Sequence, residues 1–367
     1  MEPLEFIPSK PYTIGVELEL QLLDEQSLDL IPLAPQLLAR VDDSLKGNIK
    51  AEFICSMVEI CTGICSNMTK VEEELLELFK ICNKLTNEMD ALVHAGSLHP
   101  FALVQNRHIS PAARYSEILH DVQMAGRRLI TQALHVHIGL PDADTTIRVC
   151  DTIRPFLPIL LALTTSSPYF EGEDSGFYSY RTNLFKSLPR SGVPETIGSW
   201  KRFKELIEVL REGTILHDIK EIWWDVRPHP DFGTVEIRIC DLPGKFHDIL
   251  GVVALIQALV ITLSKQEFKL PPFREVMLNN KWHASRYGLD GTYISPLRGR
   301  HKSFVAASID LLKMVSDAAS EQGTHRYLKY VSDILDNGTS AHFQRQHYNR
   351  HGDFKLMLSE QMQRFNQ

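Results

Sequence analysis

The sequence predicts an α+β fold, and three observations carry that expectation. Several short stretches alternate strictly between apolar and polar residues, the period-2 mark of a strand with one buried face. Longer stretches carry apolar residues at helical spacing. The two kinds of segment are interspersed without regular βαβ spacing, and neither GxGxxG nor GxxxxGKS/T occurs, which argues against Rossmann and P-loop folds.

The first strand lies around "GVELEL" (15–20), where Ile14, Val16, Leu18, Leu20 and Leu22 alternate with Thr13, Gly15, Glu17, Glu19 and Gln21. Glu17 and Glu19 then share one face, roughly 7 Å apart. At an effective dielectric near 20 their repulsion is about 2.4 kcal/mol, so water or a cation has to accommodate the pair. "AEFICSMVEICT" (51–62) adds Glu52 and Glu59. Their odd spacing sends them to opposite faces of a straight strand, so a bulge or break is needed to bring them together. Residues 69–94 read as one long helix, with Thr69 and Glu72 as a capping box and Val71, Leu75, Leu78, Cys82, Leu85, Met89 and Leu92 as its apolar stripe.

"LHVHIG" (134–139) puts His135 and His137 on one strand face. "TVEIRICD" (234–241) puts Glu236 and Arg238 on one face and Val235, Ile237 and Ile239 on the other. Between them, 166–199 is rich in Pro, Gly and Ser and long for a loop, a length that points to function. Residues 199–212 and 303–316 read as helices. The apolar run 249–263 contains Gln257 and is shorter than the roughly 20 residues a membrane span needs, so a buried helix is expected.

Composition bounds the partners. The 367 residues are 44% hydrophobic and 23% charged, ordinary globular values. A net charge of −7 argues against general nucleic-acid affinity. Residues 1–10 have no secretory leader pattern. The six cysteines are scattered, as free thiols of a reducing cytoplasm would be, and Cys61 and Cys65 have no second pair at zinc-finger spacing.

Taken singly, the polar strand faces have plain structural readings: a wet sheet face, a satisfied histidine pair, a surface ion pair. Together they indicate one site. Carboxylates with an imidazole suit Mg²⁺ or Mn²⁺, hard ions that bridge phosphates, and an arginine on the same face can grip a carboxylate or phosphate. That combination suggests ATP-dependent activation of a carboxylate. Trp223 and Trp224 read as sheet packing, Asp241 as a turn or cap residue before Leu-Pro-Gly, and His342, His347 and His351 as a solvated helix face.

The stretches "TIGVELELQLLD", "AEFICSMVEICTG", "LHVHIGLPD", "SSPYFEGEDSGFYSYRTNLFKSLPRSGVP", "IWWDVRPHPDFGTVEIRICDLPG", "NKWHASRYGLDGTYISP" and "GTSAHFQRQ" run in one order along the chain. Through them the sequence resembles the carboxylate–amine ligase family, also called glutamate–cysteine ligase type 2. The resemblance implies a glutamine-synthetase-like core, a curved and mainly antiparallel sheet with a concave active-site face and helices packed outside. It implies one catalytic domain over 1–367, mainly helical from about 300 to 367, and possible homodimers. It also implies ATP, Mg²⁺ (or Mn²⁺) and small amino-acid substrates, with L-glutamate and L-cysteine as the best guess and no membrane or nucleic-acid partner. By the same resemblance Glu19, Glu52 and Glu59 form one metal cluster, and Glu17, His135 and Glu236 a second. His137 contacts nucleotide phosphates. Arg238 engages the activated carboxylate or its phosphate, Glu236 is catalytic through its place near the transferred phosphoryl group, and Arg181 and Arg227 contact substrate or phosphate. The rival readings on the same fold are a guanidino-kinase-like phosphotransferase, a metal-dependent amide hydrolase and a non-catalytic nucleotide binder.

Overall fold

The computed structural model describes residues 4–266, 272–295 and 299–365. Seven strands build the main sheet: β1 (Ile14–Asp24), β2 (Ile49–Ala51), β3 (Met57–Cys61), β4 (Ala91–His94), β5 (Leu134–Gly139), β6 (Val226–His229) and β7 (Thr234–Ile237). Their order is β6-β7-β5-β1-β3-β2, with β4 also paired to β1, and every pairing is antiparallel. β1 is long enough to pair β5 along its first half, β3 along its middle and β4 at its end.

The alternation in β1 is realised as read. Ile14, Val16, Leu18, Leu20 and Leu22 are each exposed by 1% or less, and each contributes roughly 1.5–3 kcal/mol on burial. Helices surround the sheet: α1 (Met68–Asn87), α2 (Ala113–Arg127), α3 (Ala143–Ile153), α4 (Leu157–Thr164), α5 (Arg181–Phe185), α6 (Trp200–Glu212), α7 (Phe246–Ser264), α8 (Arg274–Tyr287), α9 (Phe304–Glu321), α10 (His325–Asn337), α11 (Ser340–His351) and α12 (Phe354–Phe365). Of these, α1, α3 and α7 pack directly on it, and α2 and Phe185 of α5 stand at the opposite, polar face. α7 holds the apolar run around Gln257. It packs on β5, α3, α9 and α10, and 89% of its apolar window is buried inside the protein.

Three sequence expectations change. The helix expected over 69–94 starts at Met68 on an Asn67 cap, whose side chain accepts from the Lys70 N–H at 3.0 Å, so Thr69 and Glu72 form no capping box. It ends at Asn87. Asp90 takes a left-handed φ of 51°, and the chain returns as β4 beside β1. Helical periodicity ran on through Leu92 because the strand also contributes to the core, through Val93. The segment 166–199 is no open loop: it contains α5 and short paired strands, with Ser166, Ser167 and Ser179 buried. What buries them is Asp241, which is fully buried rather than a turn residue. It accepts from the Ser166 N–H at 3.0 Å, Ser167 Oγ at 2.8 Å and Ser179 Oγ at 2.9 Å.

The β6–β7 turn, "HPDFG", sets the register that places Arg227 opposite Glu236. Gly233 closes it at φ +61°, and a Cβ there would stand 2.1 Å from the Ile7 carbonyl oxygen. Gly233→Ala is therefore expected to lower the unfolding free energy by roughly 2 kcal/mol or more. Urea midpoints of the two proteins measure this, and an unchanged midpoint contradicts it.

Candidate active site

The sheet register collects the acidic residues. Across β1 and β5, Glu17 faces His135. Across β1 and β3, Glu19 faces Glu59. Across β5 and β7, His137 faces Glu236, which in turn faces Arg227 on β6. Glu52 lies just after β2, and the chain turns over residues 53–56 before β3 returns antiparallel. That turn is the break the odd spacing of Glu52 and Glu59 required. These side chains floor a cavity of about 320 Å³, roofed in part by Arg114 and Tyr115 of α2 and flanked by Lys50, Trp223 and Arg238.

Three overlapping donor sets stand on this floor, each with its ligand atoms within 4.8 Å of one another: Glu19, Glu52 and Glu59; Glu17, Glu59 and His135; Glu17, His137 and Glu236. Glu17 and Glu59 are each shared by two sets. The imidazoles therefore sit differently from the resemblance-based grouping. His137, not His135, stands with Glu17 and Glu236, because His137 is the register partner of Glu236. His135 Nδ1 lies 3.3 Å from Glu17 Oε2, and its Nε2 lies 3.9 Å from Glu19 Oε1. His137 Nδ1 is 2.9 Å from Thr234 Oγ1, while its Nε2 is buried without a hydrogen-bond partner, 3.6 Å from Glu17 and 3.9 Å from Glu236. An oriented imidazole whose far nitrogen is orphaned between two carboxylates suits a metal ligand.

Charge is unevenly divided over the floor. At one end Glu236, 1% exposed, is held by Arg227 Nε at 2.5 Å and by Arg238 Nη1. Burial opposes its ionisation, but the two guanidiniums hold its carboxyl well below the ordinary value. Burial likewise opposes ionisation of Glu17, and its hydrogen bonds with His135 and His137 prevail. At the other end, burial and then the neighbouring Glu52 charge push Glu19 up to about 8. Burial, followed by repulsion from Glu17, Glu52 and Glu19, raises Glu59 well above its usual value, and Glu52 is raised by burial too. Lys50 Nζ, 4.0 Å from Glu59, is the nearby cation there. An oxygen-rich donor set with excess negative charge fits Mg²⁺ or Mn²⁺.

Two arginines differ from expectation. Arg181 is not brought to the cavity. Its Nη1 and Nη2 donate to the Ile239 and Arg238 carbonyls at 3.3 and 3.2 Å, and it lies 3.7 Å from Asp241. Arg227 lines the cavity, but its donors are taken by Glu236 and by the Lys220 and Ile222 carbonyls at 3.1 and 2.8 Å. Both hold the neighbours of Arg238 rather than reaching for a ligand. Of the other readings, Trp223 lines the cavity instead of packing only on the sheet, and His347 is 7% exposed, not solvated. Lys50, Arg114 and Tyr115 escaped the sequence reading. Lys50 carried no sequence signal, because its place opposite Glu59 is set by strand register, and α2 is largely exposed and offers no face pattern.

The raised carboxyls predict a pH dependence. A group whose folded pKa exceeds its unfolded value loses its stabilising contribution as pH rises through the folded value. Glu19, raised from 4.5 to about 8, and Glu59 therefore lower stability progressively from about pH 4.5 up to about pH 8 when a chelator is present. The depressed histidines His135 and His229, lowered from 6.5 to about 4, act in the opposite sense between about pH 4 and 6.5, so the net decline is read between about pH 6.5 and 8. Thermal unfolding in chelator should show the decline, and millimolar Mg²⁺ should flatten it. A decline indifferent to Mg²⁺ would speak against a cation on these carboxylates.

With the geometry in place, comparison with known proteins is direct. The family model described as "Glutamate-cysteine ligase family 2(GCS2)" matches residues 13–361. A Herpetosiphon aurantiacus protein named "Putative glutamate–cysteine ligase 2" is 34% identical over 357 residues, covering 96% of this chain and 93% of the relative. A Gloeobacter violaceus protein of the same name is 33% identical over 354 residues, covering 95% of each. Among solved structures, the glutamate–cysteine ligase of Francisella tularensis in complex with AMP superposes with a TM-score of 0.75 at 12% identity, over 98% of this chain and 90% of that one. A bifunctional glutathione synthetase from Pasteurella multocida also gives 0.75, at 14% identity, over 97% of this chain and 52% of that one. At these identities the superpositions establish the fold alone, a glutamine-synthetase-like one.

Proposed function

This chain belongs to the glutamate–cysteine ligase family 2, and on that premise we propose that its carboxylate-lined cavity joins the carboxylate of L-glutamate to the amine of L-cysteine at the expense of ATP. The protein is an ATP-dependent carboxylate–amine ligase. One observation carries the site assignment: three overlapping sets of hard donors stand beside an arginine-clamped glutamate in a single cavity. Glu17, Glu19, Glu52, Glu59, His135, His137 and Glu236 would hold Mg²⁺. The bound ions would neutralise the triphosphate and leave its terminal phosphorus open to attack.

The chain's own groups orient the reactants. A substrate carboxylate oxygen attacks the γ-phosphorus and ADP departs, giving an acyl phosphate. The amine then displaces phosphate at the acyl carbon and forms the amide. Arg238, 16% exposed at the side chain and facing the cavity, engages the carboxylate as it becomes the acyl phosphate. Arg227 keeps Glu236 ionised, and Glu236 keeps the Arg238 fork turned inward. The six thiols are buried and unpaired, in keeping with the reducing, ATP-containing cytoplasm.

The test is ADP release by the purified protein with Mg²⁺ and ATP, supplied with glutamate and cysteine singly and together. ADP should require both amino acids and match the dipeptide mole for mole. ADP formed with one acceptor and no amide would instead identify a phosphotransferase. Glu236→Gln should lower turnover by about 10²-fold or more with the circular dichroism spectrum retained; near-normal turnover removes Glu236 from the site. Arg238→Ala should slow acyl-phosphate formation, read in a single-turnover experiment, far more than it weakens ATP binding. Equal losses in both would contradict its role.

A further inference from the structure

A second constellation lies outside the cavity, on the C-terminal helical hairpin. His347 and His351 stand one turn apart on α11, and Glu360 faces His347 from α12. His347 is 7% exposed, and neither ring nitrogen has a hydrogen-bond partner. A buried imidazole with both nitrogens orphaned is costly. Its Nε2 nevertheless lies 3.1 Å from Glu360 Oε2, a close approach that lacks hydrogen-bond geometry. Two donors each bound to one ion at roughly 2.0–2.2 Å stand about 3 Å apart at ordinary coordination angles. The ring of His351 lies 4.6 Å from that of His347, centroid to centroid.

We propose that His347, His351 and Glu360 form a separate cation site for a borderline transition-metal ion such as Zn²⁺. Two imidazoles favour such an ion over Mg²⁺. Histidines at i and i+4 on one helix face are a zinc-binding spacing, and here the carboxylate comes from the adjoining helix. Unlike the cavity sets, these three ligands are not gathered within 4.8 Å of one another. Loading therefore swings His351, which is exposed, and exposed rotamers exchange in picoseconds to nanoseconds. Arg364 of α12, stacked at 3.9 Å on Phe343, offsets part of the Glu360 charge and tunes the affinity downward.

A bound ion staples α11 to α12. α11 also holds the serine-rich segment, through Gln344 Nε2 to the Ser166 carbonyl at 3.0 Å and Arg345 to Asp174 at 2.7 Å. The ion would thus stiffen the support behind that segment without entering the cavity. The proposal is independent of the ligase reading.

Calorimetric titration of Zn²⁺ into the full-length protein at saturating Mg²⁺ tests it. One Zn²⁺ equivalent should bind, at least tenfold more weakly in His351→Ala and in Glu360→Gln. The thermal midpoint should rise with Zn²⁺ in the parent protein and not in His351→Ala, whose ADP release with Mg²⁺ and ATP should equal the parent's. Both substitutions are at solvent-accessible positions and spare the buried His347. Equal zinc affinity in all three proteins would assign the ion to the cavity carboxylates and overturn the proposal, as would failure of the parent protein to bind an equivalent.

Discussion

The constraint on which the structure turns is the pairing of β1 with β3 and β5. Backbone hydrogen bonds and the burial of Ile14, Val16, Leu18 and Leu20 on one side leave no freedom in register. A slip of one residue would turn the apolar set toward the cavity. The same register drives Glu17 against His135 and Glu19 against Glu59. Apolar packing, which is collectively large, forces together carboxylates that repel one another. The fold thereby holds a charge imbalance that a divalent cation relieves.

The two ends of the cavity floor resolve their charge by different means. Around Glu236 the protein supplies its own counter-charge, with Arg227 and Arg238 converging on one carboxylate. Removing either guanidinium would leave a charge buried and short of partners, the circumstance in which a buried pair matters most. Around Glu19, Glu52 and Glu59 the contact is looser: Lys50 stands 4.0 Å from Glu59, and Arg238 and Arg114 act on Glu19 and Glu52 without an ion pair among the described residues. Reading the two ends together separates residues that organise the site from those available to a ligand. Arg227 and Arg181 belong with the first group, their donors directed at Glu236 and at backbone carbonyls.

The support behind the sheet is equally specific. Asp241 lies four residues past the end of β7 and collects three donors from the serine-rich segment, while Arg181 binds the carbonyls of Arg238 and Ile239 in between. The segment that looked like a long loop is thus tied to the strand that carries Glu236 and Arg238. Its N-terminal part is tied in turn to α11 through Gln344 to Ser166 and Arg345 to Asp174. The mobility of reactive groups in the cavity is limited from behind by these buried polar contacts, which lose more when half-broken than they contribute when whole.

The sequence by itself determined the strand faces, because alternation is a local property: Glu17, Glu19, His135, His137, Glu236 and Arg238 had to share the polar side of their strands. It also determined the helix at 200–212, whose Ser199 cap and apolar spacing are both local, and the buried nature of α7. Only the tertiary structure decided which imidazole meets which carboxylate, since that depends on how β5 registers with β1 and β7. It alone brought Glu52 beside Glu59, through a turn that period-2 logic could demand but not supply. It alone ended α1 at Asn87, where pairing with β1 outweighs helical periodicity, and it alone buried Asp241 and His347. Local pattern fixes the direction in which a side chain points; which partner it meets is settled by contacts between residues far apart in the chain, and those have no signature in any single stretch.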